Sequence, residues 1–178
     1  MNQLHSTIDT RFDLFIKKFT NLLMKNGKKI KASKIFFDML VILKNRIKKD
    51  LEKKSQVLVG NSSELIIKEI PLNFELLRLI SQAIENVTPS LEVRKVRVAG
   101  STYLVPAVLS KKKQETLALK WLIESTKKRQ KNSKLDFSTC LADEILDASR
   151  KLGQARQKRD ELHRLAQMNR AYIRYRWW

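Results

Sequence analysis

The side chains with chemistry to offer in this 178-residue chain are cations and aromatics. Lys25, Lys28, Lys29, Lys31 and Lys34 crowd one short stretch, and Lys111, Lys112 and Lys113 stand in a row in another. Arg94, Lys95 and Arg97 form a third group. Arg156, Lys158, Arg159 and Arg164 precede a tail in which Tyr172, Tyr175, Trp177 and Trp178 interleave with Arg170, Arg174 and Arg176. Ammonium and guanidinium groups neutralise phosphates, which sets affinity and orientation without reading sequence. Exposed rings stack on unpaired bases, one of the ways a folded RNA is recognised. Tyr103, Tyr175, Trp177 and Trp178 are the aromatics best placed for that, although Tyr103 also has a packing role open to it.

Catalytic chemistry finds little support. His5 and His163 belong to no recognisable motif. Cys140 lies between Thr139 and Leu141 on an apolar-periodic helix, the pattern of a buried structural thiol. Asp143, Glu144 and Asp147 have no His or Cys at ligand spacing; they are expected on a helix's outer face, with Asp147 paired to Lys151 four residues on. There is no P-loop and no Rossmann glycine pattern. The expectation is no enzyme, no cofactor, no metal and no small-molecule substrate.

Composition agrees. With 37 Lys and Arg against 18 Asp and Glu, the formal charge is +19. Such an excess calls for a polyanion, and nucleic acid is the leading partner. A hydrophobic fraction of 43% is enough for a core, so residues 1–178 read as one folded domain. No apolar run approaches the ~18 residues of a membrane span, and no membrane partner is expected. The opening MNQLHSTIDTRFDLF has only Arg11 against Asp9 and Asp13, unlike a signal or transit peptide. A single cysteine rules out an intramolecular disulfide and fits a reducing compartment. Heavy use of Lys, Ile, Leu, Phe and Asn points to an AT-rich, organelle-encoded origin, mitochondrial for preference, with plastid or bacterial cytoplasm as alternatives.

The elements that must position these groups are mostly helical. Residues 1–12 read as a short arm. Phe15, Phe19, Leu22 and Leu23 mark a first helix capped by Asp13 and stopped at Gly27. Phe36, Met39, Leu40, Leu43 and Ile47 mark a second, reaching about Leu51. Residues 52–70 lose the period and read as a loop insertion. Pro71 opens a third helix lined by Leu76, Leu79, Ile80, Ala83 and Val87. The hairpin arm, 90–109, follows: Val96 and Val98 alternate with Lys95 and Arg97, Tyr103 and Val105 with Thr102 and Leu104, and Pro106 should stop the ladder. Ser110 caps a fourth helix to about Lys128, with Leu117, Ala118, Trp121 and Leu122 inward, before a basic connection, Lys127–Lys134. Leu141, Ile145, Ala148 and Leu152 define a fifth helix ending at Gly153. The last, 155–178, carries Leu162, Leu165, Ala166, Asn169 and Ile173 on one face. The fold class is therefore mainly α, a six-helix bundle-like domain with an extended β-hairpin arm between helices three and four.

The stretch ENVTPSLEVRKVRVAGSTYLVP, Glu85 to Pro106, resembles the central signature of the small-subunit ribosomal protein seven family. FTNLLMKNGKK at Phe19–Lys29, LALKWLI at Leu117–Ile123 and MNRAYIRYRW at Met168–Trp177 match the family's other recurring blocks in order and rough spacing. The resemblance covers roughly residues 14–177. It implies a structural, primary rRNA-binding protein that nucleates assembly of the small-subunit head on the 3′ major domain.

By the same resemblance, Lys25, Lys28, Lys29, Lys31, Arg94, Lys95, Arg97, Lys111, Lys112, Lys113, Arg156 and Lys158 are expected RNA contacts. The hairpin tip, Val98, Ala99, Gly100, Ser101, Thr102 and Tyr103, would reach the exit-site tRNA and the mRNA exit path. Asn169, Arg170, Tyr172, Arg174, Tyr175, Arg176 and Trp177 would face a neighbouring platform protein and the mRNA. Three departures stand out. Ala99 replaces a common glycine, so a positive φ there is in doubt. The N-terminal arm lacks the basic residues of bacterial members, and Trp178 extends past the usual terminal Trp with no assignable role. The main alternative is a basic DNA-binding protein of helix-turn-helix type, but no recognition helix with base-reading residues follows a short Gly turn.

Overall fold

The computed structural model describes the backbone of residues 2–57 and 72–178 and the side chains of residues 13–50 and 74–178. Among the described residues, six helices and one hairpin follow in the order α1 (Asn2–Leu23), α2 (Lys29–Val57), α3 (Leu72–Val87), β1 (Leu91–Val98), β2 (Ser101–Val108), α4 (Lys111–Asn132), α5 (Phe137–Ser149) and α6 (Gln154–Met168). A 3₁₀ segment, Arg170–Tyr175, closes the chain.

The core is where the helical periodicity put it. Phe19 of α1 meets Phe36 of α2 with ring centroids 5.2 Å apart. Met39, Leu43 and Ile47 continue the α2 stripe onto Leu76, Ile80, Ala83 and Val87 of α3. Leu119 and Leu122 of α4 and Leu141 and Ile145 of α5 complete the cluster. Each large apolar side chain taken out of water contributes about 1.5–3 kcal/mol, which is why these stripes decide the fold. Trp121 is half-buried against this cluster, and Cys140 is fully buried within α5.

Several boundaries differ from expectation. α1 begins at Asn2, so Asp13 sits inside the helix and the supposed arm is its first half. The turn after it is built by Asn26 and Gly27, both at positive φ (51° and 70°). α2 continues to Val57, six residues past Leu51, and residues 58–70 of the proposed insertion lie outside the described residues, as does Pro71. α4 runs to Asn132, so most of the basic connection is helical; Lys, Arg and Gln all favour helix. α5 ends at Ser149, and Gly153, at φ 89°, instead starts α6. Leu152 therefore lies in the connection and is exposed. Asn169 breaks the last helix: its side-chain N–H donates to the Leu165 carbonyl (2.8 Å) and its own carbonyl accepts from the Tyr172 N–H (3.1 Å). Beyond Asn169 the backbone tightens to 3₁₀, and of the expected α6 face only Ala166 is buried.

Pro106 does not end the ladder. It pairs with Val93, and the strand goes on to Val108. Counting from the two-residue turn at Ala99-Gly100, this pair falls on a non-hydrogen-bonded position, where a missing N–H costs nothing. Among the described residues, no helix is long and apolar enough to cross a membrane.

Candidate nucleic-acid interface

The hairpin has an inner and an outer face, fixed by the alternation of its strands. Val96, Val105 and Ala107 are buried on the inner face. Tyr103, opposite Val96, extends this face onto the 3₁₀ segment, its ring 5.0 Å from Tyr172 and 5.0 Å from Tyr175. Lys95, Arg97 and Thr102 occupy the outer face and are exposed. Arg94 shares the parity of Val96, so it turns inward, bonding Glu92 (2.5 Å) and lying 5.0 Å from the centre of the Trp178 ring. Trp178 thus has a place the sequence did not disclose. Its ring supports Arg94, its carbonyl accepts from Arg176 Nε (3.2 Å), and Trp177 meets it edge-on at 5.7 Å.

At the tip Ala99 adopts φ 48° and Gly100 φ 84°. Positive φ at both central residues is the turn that matches strand twist. Alanine takes a left-handed conformation here that glycine would adopt freely, at a cost of about 1–2 kcal/mol. Val98 is half-buried, whereas Ala99, Gly100, Ser101 and Thr102 are exposed.

The base of the arm is tied down by α6. Arg156 donates to the Asn86 carbonyl (2.6 Å) and Arg159 to the Thr88 carbonyl (3.3 Å), both at the C-terminal end of α3, where cations are favoured. Both arginines also pair with Asp160. The Ser90 N–H points at His163 Nε2 from 3.4 Å. Burial and the neighbouring Arg159 charge hold the His163 pKa below its usual value, so the neutral ring that can accept this bond is favoured.

α6 is positioned in turn by a buried carboxylate. Glu144, expected on an outer face, is fully buried and accepts the Ala155 N–H (3.0 Å). Its other oxygen lies 2.9 Å from Arg129 Nη2, an ion pair without the alignment of a hydrogen bond. Arg129 also pairs with Asp147 (2.5 Å), which replaces the expected Asp147–Lys151 pair, because Lys151 has left the helix at φ 62°. Burial opposes the Arg129 charge, but the Asp147 hydrogen bond and the charges of Glu144 and Asp147 outweigh it and raise its pKa. Asp143 pairs with Arg46 of α2. These three acids are internal ties between helices, and no cluster of His, Cys, Asp and Glu suited to a metal occurs among the described residues.

The cations therefore divide into two classes. Arg46, Arg129, Arg156, Lys158 and Arg159 are engaged by the fold, with Lys158 bonded to Glu124 of α4 (2.6 Å). Lys25, Lys28, Lys29, Lys31, Lys95, Arg97, Lys111, Lys112 and Lys113 are exposed, with no ion pair to another described residue. Ser110 stands at the N-cap of α4, yet its hydroxyl makes no capping bond, so three lysines crowd a helix start that already carries positive charge. Lys112, Lys113 and Lys120 wall a concavity of about 350 Å³ shared with Glu92 at the hairpin base. In the tail, Arg170, Arg174, Arg176 and Trp177 are exposed, Arg174 lying 5.1 Å from the Tyr175 ring.

A mainly helical domain with an exposed cationic hairpin is matched by the family model described as Ribosomal protein S7p/S5e, over residues 2–170. The chain belongs to this family. The S7p/S5e assignment makes it a structural, non-enzymatic ribosomal protein and sets aside the helix-turn-helix alternative. It is 47% identical to the small ribosomal subunit protein uS7m of Prototheca wickerhamii, across 90% of this chain and 88% of that protein. Against uS7m of Arabidopsis thaliana the identity is 32%, across 96% and 98%. Against uS7 of the bacterium Blochmanniella floridana it is 38%, across 95% and 91%.

Proposed function

We propose that this S7p/S5e member is a structural constituent of the small ribosomal subunit. In this reading it binds the 3′ major domain of small-subunit rRNA and helps fold the subunit head. The observation that carries the proposal is the division of the cations. The fold spends some on its own carbonyls and carboxylates and leaves others exposed at the α1–α2 turn, the hairpin's outer face and the start of α4. Exposed ammoniums around a concavity and a helix start suit phosphates, whose neutralisation supplies most of the affinity. The tip, Val98–Tyr103, would lie at the exit-site tRNA and the mRNA exit path. The tail, Asn169–Trp177, would meet a platform protein and the mRNA. Relatives from Prototheca and Arabidopsis that carry the mitochondrial-type name support a mitochondrial ribosome as its place of work.

The test is a titration of the full chain against the isolated 3′ major domain, beside an unrelated folded RNA of equal length, at two salt concentrations. A preference for the rRNA domain that persists at the higher salt is expected. Equal affinities that fall together with salt would reduce the protein to a non-specific polyanion binder.

A further inference from the structure

The core-facing stripe of α2 accounts for only one side of that helix. On the opposite side stand Ile30, Phe37 and Val41, which are 87%, 54% and 58% exposed. Their spacings of seven and four residues put them on one face, pointing away from Phe36, Met39, Leu43 and Ile47. Lys34 and Lys44 flank them on the same face, and neither has an ion pair to another described residue. Asp38 is the one acid between Lys29 and Lys49, and it falls to the side of this face. The Phe37 ring is not adrift: it stands edge-on to the core ring of Phe36, with centroids 6.1 Å apart and planes at 76°. A buried residue therefore holds an exposed aromatic anchor in a defined pose.

We infer that the outward face of α2, Ile30–Phe37–Val41 with Lys34 and Lys44, is a docking surface for an acidic amphipathic helix of another protein. RNA is the poorer occupant. Phosphates would engage the lysines but give Ile30 and Val41 nothing, since an aliphatic side chain has no stacking face. An apolar row at helical spacing matches the ridge of a second helix, and carboxylates beside that ridge would complement the lysines. An anchor ringed by charge is also the usual anatomy of a protein–protein contact. This contact adds a protein neighbour to the RNA-binding reading and draws on residues outside the proposed RNA interface.

The test places a photo-reactive phenylalanine analogue at position 37 of the full chain, recovers assembled small subunits, and maps the crosslink by mass spectrometry. The expected product joins position 37 to a segment of another protein whose apolar residues are flanked by Asp or Glu. Lys44→Glu should cut its yield several-fold without lowering incorporation. A crosslink to rRNA, a crosslink within the chain's own residues 58–70, or no crosslink in assembled subunits would overturn the inference. Failure to enter subunits would instead count against the ribosomal proposal. The α2 surface is then decided on the isolated chain with a synthetic acidic amphipathic peptide and its Lys-for-Glu counterpart. Binding of the acidic peptide alone, weakened about tenfold by Phe37→Ala, supports it, because loss of an apolar anchor typically costs that much or more. Binding unchanged by that substitution, equal binding of both peptides, or no binding of the acidic peptide overturns it.

Discussion

In the helical bundle, apolar side chains from several helices share one buried cluster, so each contact is backed by many others. The hairpin and tail are attached outside that cluster, by the buried Val96, Val105 and Ala107, by Tyr103 on Tyr172 and Tyr175, by Arg94 over Trp178, and by the arginines of α6 on the end of α3. The bundle loses stability as a whole when one member fails. The hairpin packs Val96, Val105 and Ala107 outside the bundle's shared cluster, so it is the part expected to open locally. Rigid helices hold the exposed lysines at fixed positions, while the arm retains freedom to settle.

The largest effect should come from the bundle. Phe36→Ala removes a ring packed on Phe19 and is expected to cost about 3–5 kcal/mol of global stability, read by denaturant unfolding. A loss confined to the hairpin would break the distinction. Glu144→Gln comes next. It removes the charge facing Arg129 at the α4–α5–α6 junction, and about 1–3 kcal/mol should be lost in the same unfolding transition. Tyr103→Ala should leave that transition almost unmoved. Instead, amides of β1, β2 and the 3₁₀ segment should exchange faster, by about 1 kcal/mol of local opening free energy. A drop in global stability equal to that of Phe36→Ala would show that arm and bundle are one cooperative unit.

The smallest effect is a pH dependence at the arm's base. The His163 pKa is lowered in the folded protein, so the unfolded chain binds the proton more readily. The stability this gives is complete above the ordinary value of 6.5 and is lost as pH falls below it toward the depressed one. Corrected for the intrinsic pH dependence of amide exchange, protection at the hairpin base should fall between about pH 7 and pH 5 in the native chain, and less so in His163→Gln. Identical profiles would remove His163 from the set of ties.

Much of this was legible in the sequence where one physical rule dominates. Apolar periodicity gave six helices and most of their buried faces, because burial of Phe36, Leu43 or Leu141 outweighs local preference. The hairpin was legible from Gly100 between alternating strands. What stayed hidden depends on partners far along the chain. Glu144 looked like a surface acid because nothing local shows Arg129 and the Ala155 N–H waiting for it. The internal partners of Arg156 and Lys158, the Asn86 carbonyl and Glu124, lie 70 and 34 residues away, beyond any local pattern. Arg94 is the exception: its parity with Val96 puts it on the inner face, apart from Lys95 and Arg97, and that alternation is local. Trp178 meets its partner, Arg94, only because the tail folds back on the hairpin.

The division between engaged and exposed cations is tested most directly by the salt dependence of binding to the 3′ major domain. Each lost phosphate contact lowers the slope of log affinity against log salt by ~0.9 at duplex-like sites, so Lys111→Gln, Lys112→Gln and Lys113→Gln together should flatten it by up to about three. Lys158→Gln, which severs the tie to Glu124, should leave it unchanged. A flattened slope in Lys158→Gln with none in the triple variant would contradict the division and reassign the RNA-facing surface to α6.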